Sequence, residues 1–208
     1  MRALATRMTK LALIITLIGF QLCSKTQDSN ERYEALLFEV NYDLLDELFQ
    51  DAALSLQFAP PKNWKRLDAE LFSQFINSST ISINDSSQFA MTAREIFFDS
   101  QTKSMCVISI FENIDPEMRF EDFIAEFSEL AQSHYNQKLK KTGFSLINNL
   151  KFYQLIIMDD SIVNFKLLEK NNVTHPIQID YITTVGQYPD LMKAIESSMG
   201  SITQFPIK

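Results

Sequence analysis

The chain has 208 residues and a mass of 24.0 kDa, with 46% hydrophobic and 22% charged residues, which fits one folded domain plus a targeting signal and excludes wholesale disorder. Four glycines, none near another, exclude a glycine-rich phosphate loop, and two cysteines cannot build a four-cysteine zinc site or a disulfide scaffold. A net charge of −7 and a pI near 4.9 have the wrong sign for gathering phosphates, so no nucleic-acid partner is expected.

Arg2, Arg7 and Lys10 precede an uncharged run from Leu11 to Ser24, the pattern of an export signal. Those 14 uncharged residues reach about 21 Å as a helix, short of the roughly 30 Å of a bilayer core. Cys23 closes the run, and a polar stretch from Ser24 to Asn30 follows it. This resembles a bacterial lipoprotein signal, in which the cysteine becomes the lipid-bearing first residue, although Gln21 and Leu22 depart from the small residues usual before it. The resemblance implies a signal over residues 1–22 and a tether over 23–30, and the uniform, repeat-free composition of the remainder predicts a single domain over 31–208. Removing residues 1–22 takes away three basic residues and no acid, leaving 16 basic against 26 acidic residues, or −10. An acyl anchor on Cys23 then explains membrane association better than a basic patch would. Cys106, the remaining thiol, reads as a small buried hydrophobe.

Beyond the tether, Leu36, Val40, Leu44 and Leu48 recur at i, i+4 and predict a helix within Glu31–Gln50, with an extended run at Val40-Asn41-Tyr42 as the alternative. Leu54–Phe58 alternates as a strand and ends at Pro60-Pro61. Asp68–Ile76 is expected to be a short helix with Leu71, Phe72 and Phe75 inward. A hairpin follows, its strands around Phe89–Phe98 and Met105–Phe111 joined at Asp99–Lys103. Asp115-Pro116-Glu117 opens a long helix with Phe120, Phe123, Ile124, Phe127, Leu130 and Ala131 inward. Lys138, Lys140, Lys141 and Gly143 mark its expected end. Four strands then fall within 144–147, 151–158, 163–168 and 176–185, and their short links force antiparallel neighbours. A last helix starts after Tyr188-Pro189-Asp190 with Leu191, Ile195, Met199 and Ile202 inward and Gly200 near a fraying end. This order predicts an α+β fold, an α/β/α sandwich around a mostly antiparallel sheet.

Pro60, Pro61 and Trp64 after the first strand, the strand-rich second half and the ending from Pro189 to Ile202 resemble the PsbP-like family. The likeness spans roughly residues 52–205. It implies that family's α/β/α sandwich, with adaptor and assembly roles among its functions and no shared catalytic constellation.

Candidate chemistry is sparse. His134 and His175 lack metal-ligand spacing, no nucleophile elbow is present, and Asp159-Asp160 reads first as solvated turn acids and second as an acid/base pair. Asn84-Asp85-Ser86 and Asn113-Ile114-Asp115 lack a calcium-loop pattern. Neither metal nor cofactor nor enzymatic activity is expected. Trp64, flanked by Lys62, Lys65 and Arg66, reads either as a lid over the core or as an exposed anchor for a partner. The reading that follows is a membrane-tethered, periplasm-facing module binding a protein or envelope component whose contact surface is cationic or neutral. The alternative is a binder of a small apolar ligand between sheet and helix.

Overall fold

The computed structural model describes residues 33–78, 89–115, 117–170 and 175–205. The expected signal, the tether, Cys23 and Asn84-Asp85-Ser86 lie outside them. The described residues all fall within one compact unit, 32–208.

In chain order, strand β1 (Glu34–Ala35), a 3-10 turn at Tyr42–Leu44, β2 (Phe49–Asp51), β3 (Leu56–Phe58) and β4 (Lys65–Arg66) lead to helix α1 (Ala69–Ser78). Then come β5 (Ala90–Asp99), β6 (Ser104–Glu112), α2 (Phe120–Tyr135), β7 (Leu139–Ile147), β8 (Leu150–Met158), β9 (Ile162–Lys170) and β10 (Pro176–Thr184). Helix α3 (Tyr188–Gly200) and β11 (Thr203–Gln204) complete the described fold.

Eight strands form one sheet in the order β1-β7-β8-β9-β10-β6-β5-β4, and β11-β3-β2 form a small second sheet. Among the described strands only β1 and β7 run parallel; short links force antiparallel neighbours from β5 to β6 and from β7 through β10, and β10–β6 and β4–β5, which are distant in the chain, are antiparallel as well. The tightest link is Asn148-Asn149, where both residues have positive φ, 49° and 68°. A two-residue hairpin with both central residues left-handed matches the twist of its strands, and asparagine tolerates that region better than most residues.

Each sheet face is covered. On one, α3 and the small sheet bury Phe58, Trp64, Ile108, Phe152, Leu167, Tyr181 and Met199. On the other, α2 lays Phe120, Phe123, Ile124, Phe127 and Ala131 over Phe111, Leu155 and Leu168. The phenylalanine stripe at helical spacing therefore does what its periodicity requires, and edge-to-face ring pairs such as Phe111–Phe123, 5.0 Å apart, fill that layer.

Three expectations are corrected. Residues 31–50 hold no α-helix among the described part: Leu36, Phe38 and Val40 turn inward and Leu37 and Glu39 outward, which is period two. Leu36 and Val40 belong to both periods, so the helical reading borrowed residues from an extended one. The long helix opens at Phe120, after a turn in which Asp115 Oδ1 accepts from the Glu117 amide, and ends at Tyr135. Lys140, Lys141 and Gly143 lie in β7, where lysines sit beside an edge. In α1, Leu71 is exposed rather than inward, while Phe72 is half-buried.

Candidate functional site

Residues 36–45 form a strap that leaves β7 at Leu36, runs extended along α3 through Phe38, Val40 and Asn41, and closes in the 3-10 turn Tyr42–Leu44. Helix α3 accepts it because its last turn is built from small residues, Ser197, Ser198 and Gly200, all buried. A methyl group placed on Gly200 would stand 2.6 Å from Phe38 Cβ and 3.0 Å from Val40 Cγ2. Glycine is thus required there for close approach, which corrects the reading of Gly200 as a fraying end.

Serine hydroxyls fasten the same region. The Asn41 amide donates to Ser197 Oγ at 3.2 Å, and Asn41 Oδ1 accepts from the Asp43 amide to cap the 3-10 turn. Ser198 Oγ lies 3.0 Å from Tyr181 Oη and donates to the Ala59 carbonyl at 2.7 Å. The Ala59 amide in turn donates to Ser201 Oγ at 2.9 Å. These bonds tie α3 to both the strap and the chain beyond β3, and buried polar groups satisfied in this way fix one arrangement.

Between strap and helix runs an open groove of about 680 Å³. Leu37 on its rim is 94% exposed and Tyr42 is 74% exposed. Large apolar side chains held outward beside a groove, on a backbone pinned by the contacts above, are typical of contact surfaces. The charged groups lining it are Glu39, Asp43 and Glu196 against Lys193 alone. That balance favours a basic partner.

The residues singled out from sequence are placed as follows. Trp64 is 1% exposed, its ring centroid 6.4 Å from that of Tyr181. It covers the core, and the exposed-anchor reading of its indole is corrected. Lys62 and Lys65 are exposed. Lys65 pairs with Asp46 at 2.5 Å, and that hydrogen bond holds the Asp46 carboxyl below its ordinary range. Lys62 Nζ donates to the Asp43 carbonyl at 3.3 Å, so Lys62 braces the strap and Lys65 the residue just after it, and neither stands free.

Asp159 accepts from the Ser161 and Ile162 amides and from Ser161 Oγ, and Lys138 lies 3.2 Å away. The amides, foremost, push its pKa down, the opposite of what a general acid needs, so Asp159 is a turn-capping residue. Cys106 is fully buried, and burial raises its thiol pKa well above the ordinary value, which leaves it unreactive. His134 and His175 are exposed, and no group of three metal-ligating side chains converges among the described residues.

His134 borders a narrow cleft between α2 and β5–β6, lined by Phe89, Met91, Phe111, Phe127 and Leu130. Its enclosed space is about 20 Å³, close to what a single water needs.

Two features escaped the sequence reading. One is the strap with its glycine seat; the close approach at Gly200 depends on tertiary contact and left no local signal. The other is a buried ion pair on the α2 face, where Lys166 Nζ and Asp180 Oδ1 lie 2.6 Å apart on directly paired residues of β9 and β10. Gln178 Nε2 donates to the second Asp180 oxygen at 2.5 Å. Burial opposes the Lys166 charge, and the Asp180 carboxylate more than offsets it, leaving the ammonium pKa raised. Polar residues at period two in central strands were the available sign.

No family model matches the chain, and no curated protein matches it. Among solved structures it is similar to the cyanobacterial PsbP (CyanoP) of Synechocystis sp. PCC 6803, at 11% identity and a TM-score of 0.52, covering 78% of this chain and 94% of that one. This likeness shows a PsbP-like fold. A Pseudomonas aeruginosa protein of unknown function, PA94, described as a putative regulator, aligns at 13% identity over 77% and 97% of the two chains, with a TM-score of 0.41. LpqN of Mycobacterium tuberculosis, described as involved in cell envelope biogenesis, aligns at 12% identity over 73% and 83%, with a TM-score of 0.40.

Proposed function

We propose that this PsbP-like chain is a non-enzymatic, exported interaction module, held at the membrane by acyl chains on Cys23. It binds a protein or envelope component through the groove between the strap and α3. The observation that carries the reading is the pair of outward apolar side chains, Leu37 and Tyr42, on a rim whose charges are mainly carboxylate. The partner this rim suits is a basic segment presenting an apolar side chain to Leu37 and Tyr42.

Binding of a small apolar ligand is the second reading, and the phenylalanine-lined cleft beside His134 is its support. A preformed small-molecule site runs to several hundred Å³, on the order of 300–1,000 Å³. With about 20 Å³ enclosed, the cleft needs to open before it holds a ligand, and the groove therefore carries the stronger case.

Site-specific photocrosslinking in cells of the native host tests the groove. A photoreactive residue replacing Leu37 or Lys193 is expected to yield one discrete adduct, lost when Glu39 and Asp43 are both changed to lysine, while the same residue at Lys103 yields none. Identical adducts from all positions, or none from any, would refute the assignment. The anchor is tested separately: the wild type should partition into detergent and Cys23→Ser into water, and a fully aqueous wild type removes the lipid proposal.

A further inference from the structure

The strap is extended backbone pinned at two points. The Leu36 amide donates to the Leu146 carbonyl at 2.9 Å, and the Asn41 amide donates to Ser197 Oγ at 3.2 Å. Between those bonds, the backbone N–H and C=O groups of Leu37, Phe38, Glu39 and Val40 have no hydrogen-bond partner among the described residues. Along an extended chain the N–H and C=O of one residue face the same edge, and the edge alternates from residue to residue. The Leu36 amide faces β7, so the Leu37 and Glu39 groups face the opposite way, on the side of the Asn41 amide. Asn41 reaches Ser197, which lines the groove together with Glu196 and Lys193. Two backbone donors and two acceptors are therefore held on the groove side of the strap.

This edge is also unguarded. From Leu36 to Leu45 there is neither lysine nor proline, the residues with which proteins commonly blunt an exposed edge. Phe38 and Val40 turn inward onto Gly200, which leaves Leu37 and Glu39 outward, two positions apart. We infer that the groove takes its partner as an antiparallel strand laid along Leu37–Glu39, recognised through main-chain hydrogen bonds to those two residues. The inference rests on the groove being the partner site proposed above, and it adds how the partner is read. Residues directly opposite in an antiparallel pair share a face. The segment therefore presents a basic side chain to Glu39 and, two positions later, an apolar one to Leu37.

The charge of the groove agrees with that motif. Glu39, Asp43 and Glu196 line it against Lys193 alone, so a lysine or arginine of the partner enters a site with three carboxylates and one ammonium. A second copy of the strap laid on the same edge would set carboxylate against carboxylate, which is destabilising between directly opposed strands. A small apolar ligand would cover the Leu37 and Glu39 backbone groups without bonding them, and burying such groups unpaired costs free energy. The occupant that satisfies both the charges and the backbone is an extended protein segment.

The probe is a capped hexapeptide, threonine-threonine-lysine-threonine-leucine-threonine, titrated into the 15N-labelled full chain, with glutamate in place of lysine as its counterpart. The lysine peptide is expected to shift the Glu39, Lys193 and Glu196 resonances. It should slow hydrogen exchange at the Leu37 and Glu39 amides but not at Phe38. N-methylation of the peptide's lysine or leucine amide, each of which faces the strap, should weaken binding about tenfold. N-methylation of the threonine between them should leave binding unchanged, and Glu39→Lys should remove the preference for the lysine peptide. Groove shifts without protection at Leu37 and Glu39, or the reverse methylation pattern, would overturn the strand and leave the groove standing. No groove shift with either peptide, or equal affinity for both, would overturn the motif, and the photocrosslinks at Leu37 and Lys193 then decide the groove separately. Protection of those amides in the free chain that falls on dilution would assign the edge to a second copy and overturn the proposal as well.

Discussion

Gly200→Ala sets two opposed effects against each other. In an exposed helix interior, replacing glycine by alanine stabilises by about 1 kcal/mol, because the backbone loses less freedom on folding. At Gly200 the same methyl would lie 2.6 Å from Phe38 Cβ, well inside van der Waals contact. Overpacking of this kind costs about 1–3 kcal/mol, and displacing Phe38 from the core face would forfeit part of the roughly 1.5–3 kcal/mol that its burial contributes. The clash should win, with a net loss of about 1–2 kcal/mol in urea unfolding followed by the fluorescence of Trp64, the only tryptophan. The nearest atom is Phe38 Cβ, which moves only with the backbone, so Phe38→Ala should fail to rescue the variant. The Asn41 amide, bonded to Ser197 Oγ, should exchange faster once the strap lifts. A Gly200→Ala protein as stable as the wild type, with unchanged Asn41 protection, would show that the strap does not rest on this glycine.

Two further outcomes are expected. Lys166→Met strands the buried Asp180 carboxylate and should destabilise by about 3–5 kcal/mol in urea unfolding, whereas Lys166→Met with Asp180→Leu should recover most of the loss; equal costs for single and double variants would sink the pairing argument. Burial raises the Glu169 carboxyl from 4.5 to about 7, so the folded state holds its proton more tightly than the unfolded chain. The stability this gives is fully present below pH 4.5 and is lost as pH rises through 7. Glu169→Gln should flatten that slope, worth at most on the order of 3 kcal/mol, and an unchanged slope in thermal melts from pH 4.5 to pH 7 would refute it.

The antiparallel half of the sheet was legible because β8, β9 and β10 are long apolar runs punctuated by Asn148-Asn149 and Asp159–Ser161, which are strong turn formers. Helices α2 and α3 were legible from their apolar stripes. The strap was not, since residues four apart satisfy a helix and an extended chain equally, and only packing against α3 chooses between them. β7 was misread for a different reason: lysines followed by glycine end helices, and they also discourage pairing at sheet edges. For Trp64, the neighbouring lysines suggested exposure, yet Lys62 and Lys65 are engaged with strap groups while the indole lies beneath. The candidate groove was invisible in the sequence because it forms only where residues 37–44 meet Lys193, Glu196 and Ser197 of α3, more than 140 positions away in the chain.

The two-residue β1 has a mechanical meaning. A pull applied on the chain before Tyr33 is borne first by the few backbone bonds joining β1 to β7, and next by the strap's seat on α3. Under load β1 and the strap would peel away while the seven other strands of the large sheet stay paired, so traction on the leading end would dismantle the Leu37–Tyr42 face before it threatened the body of the protein.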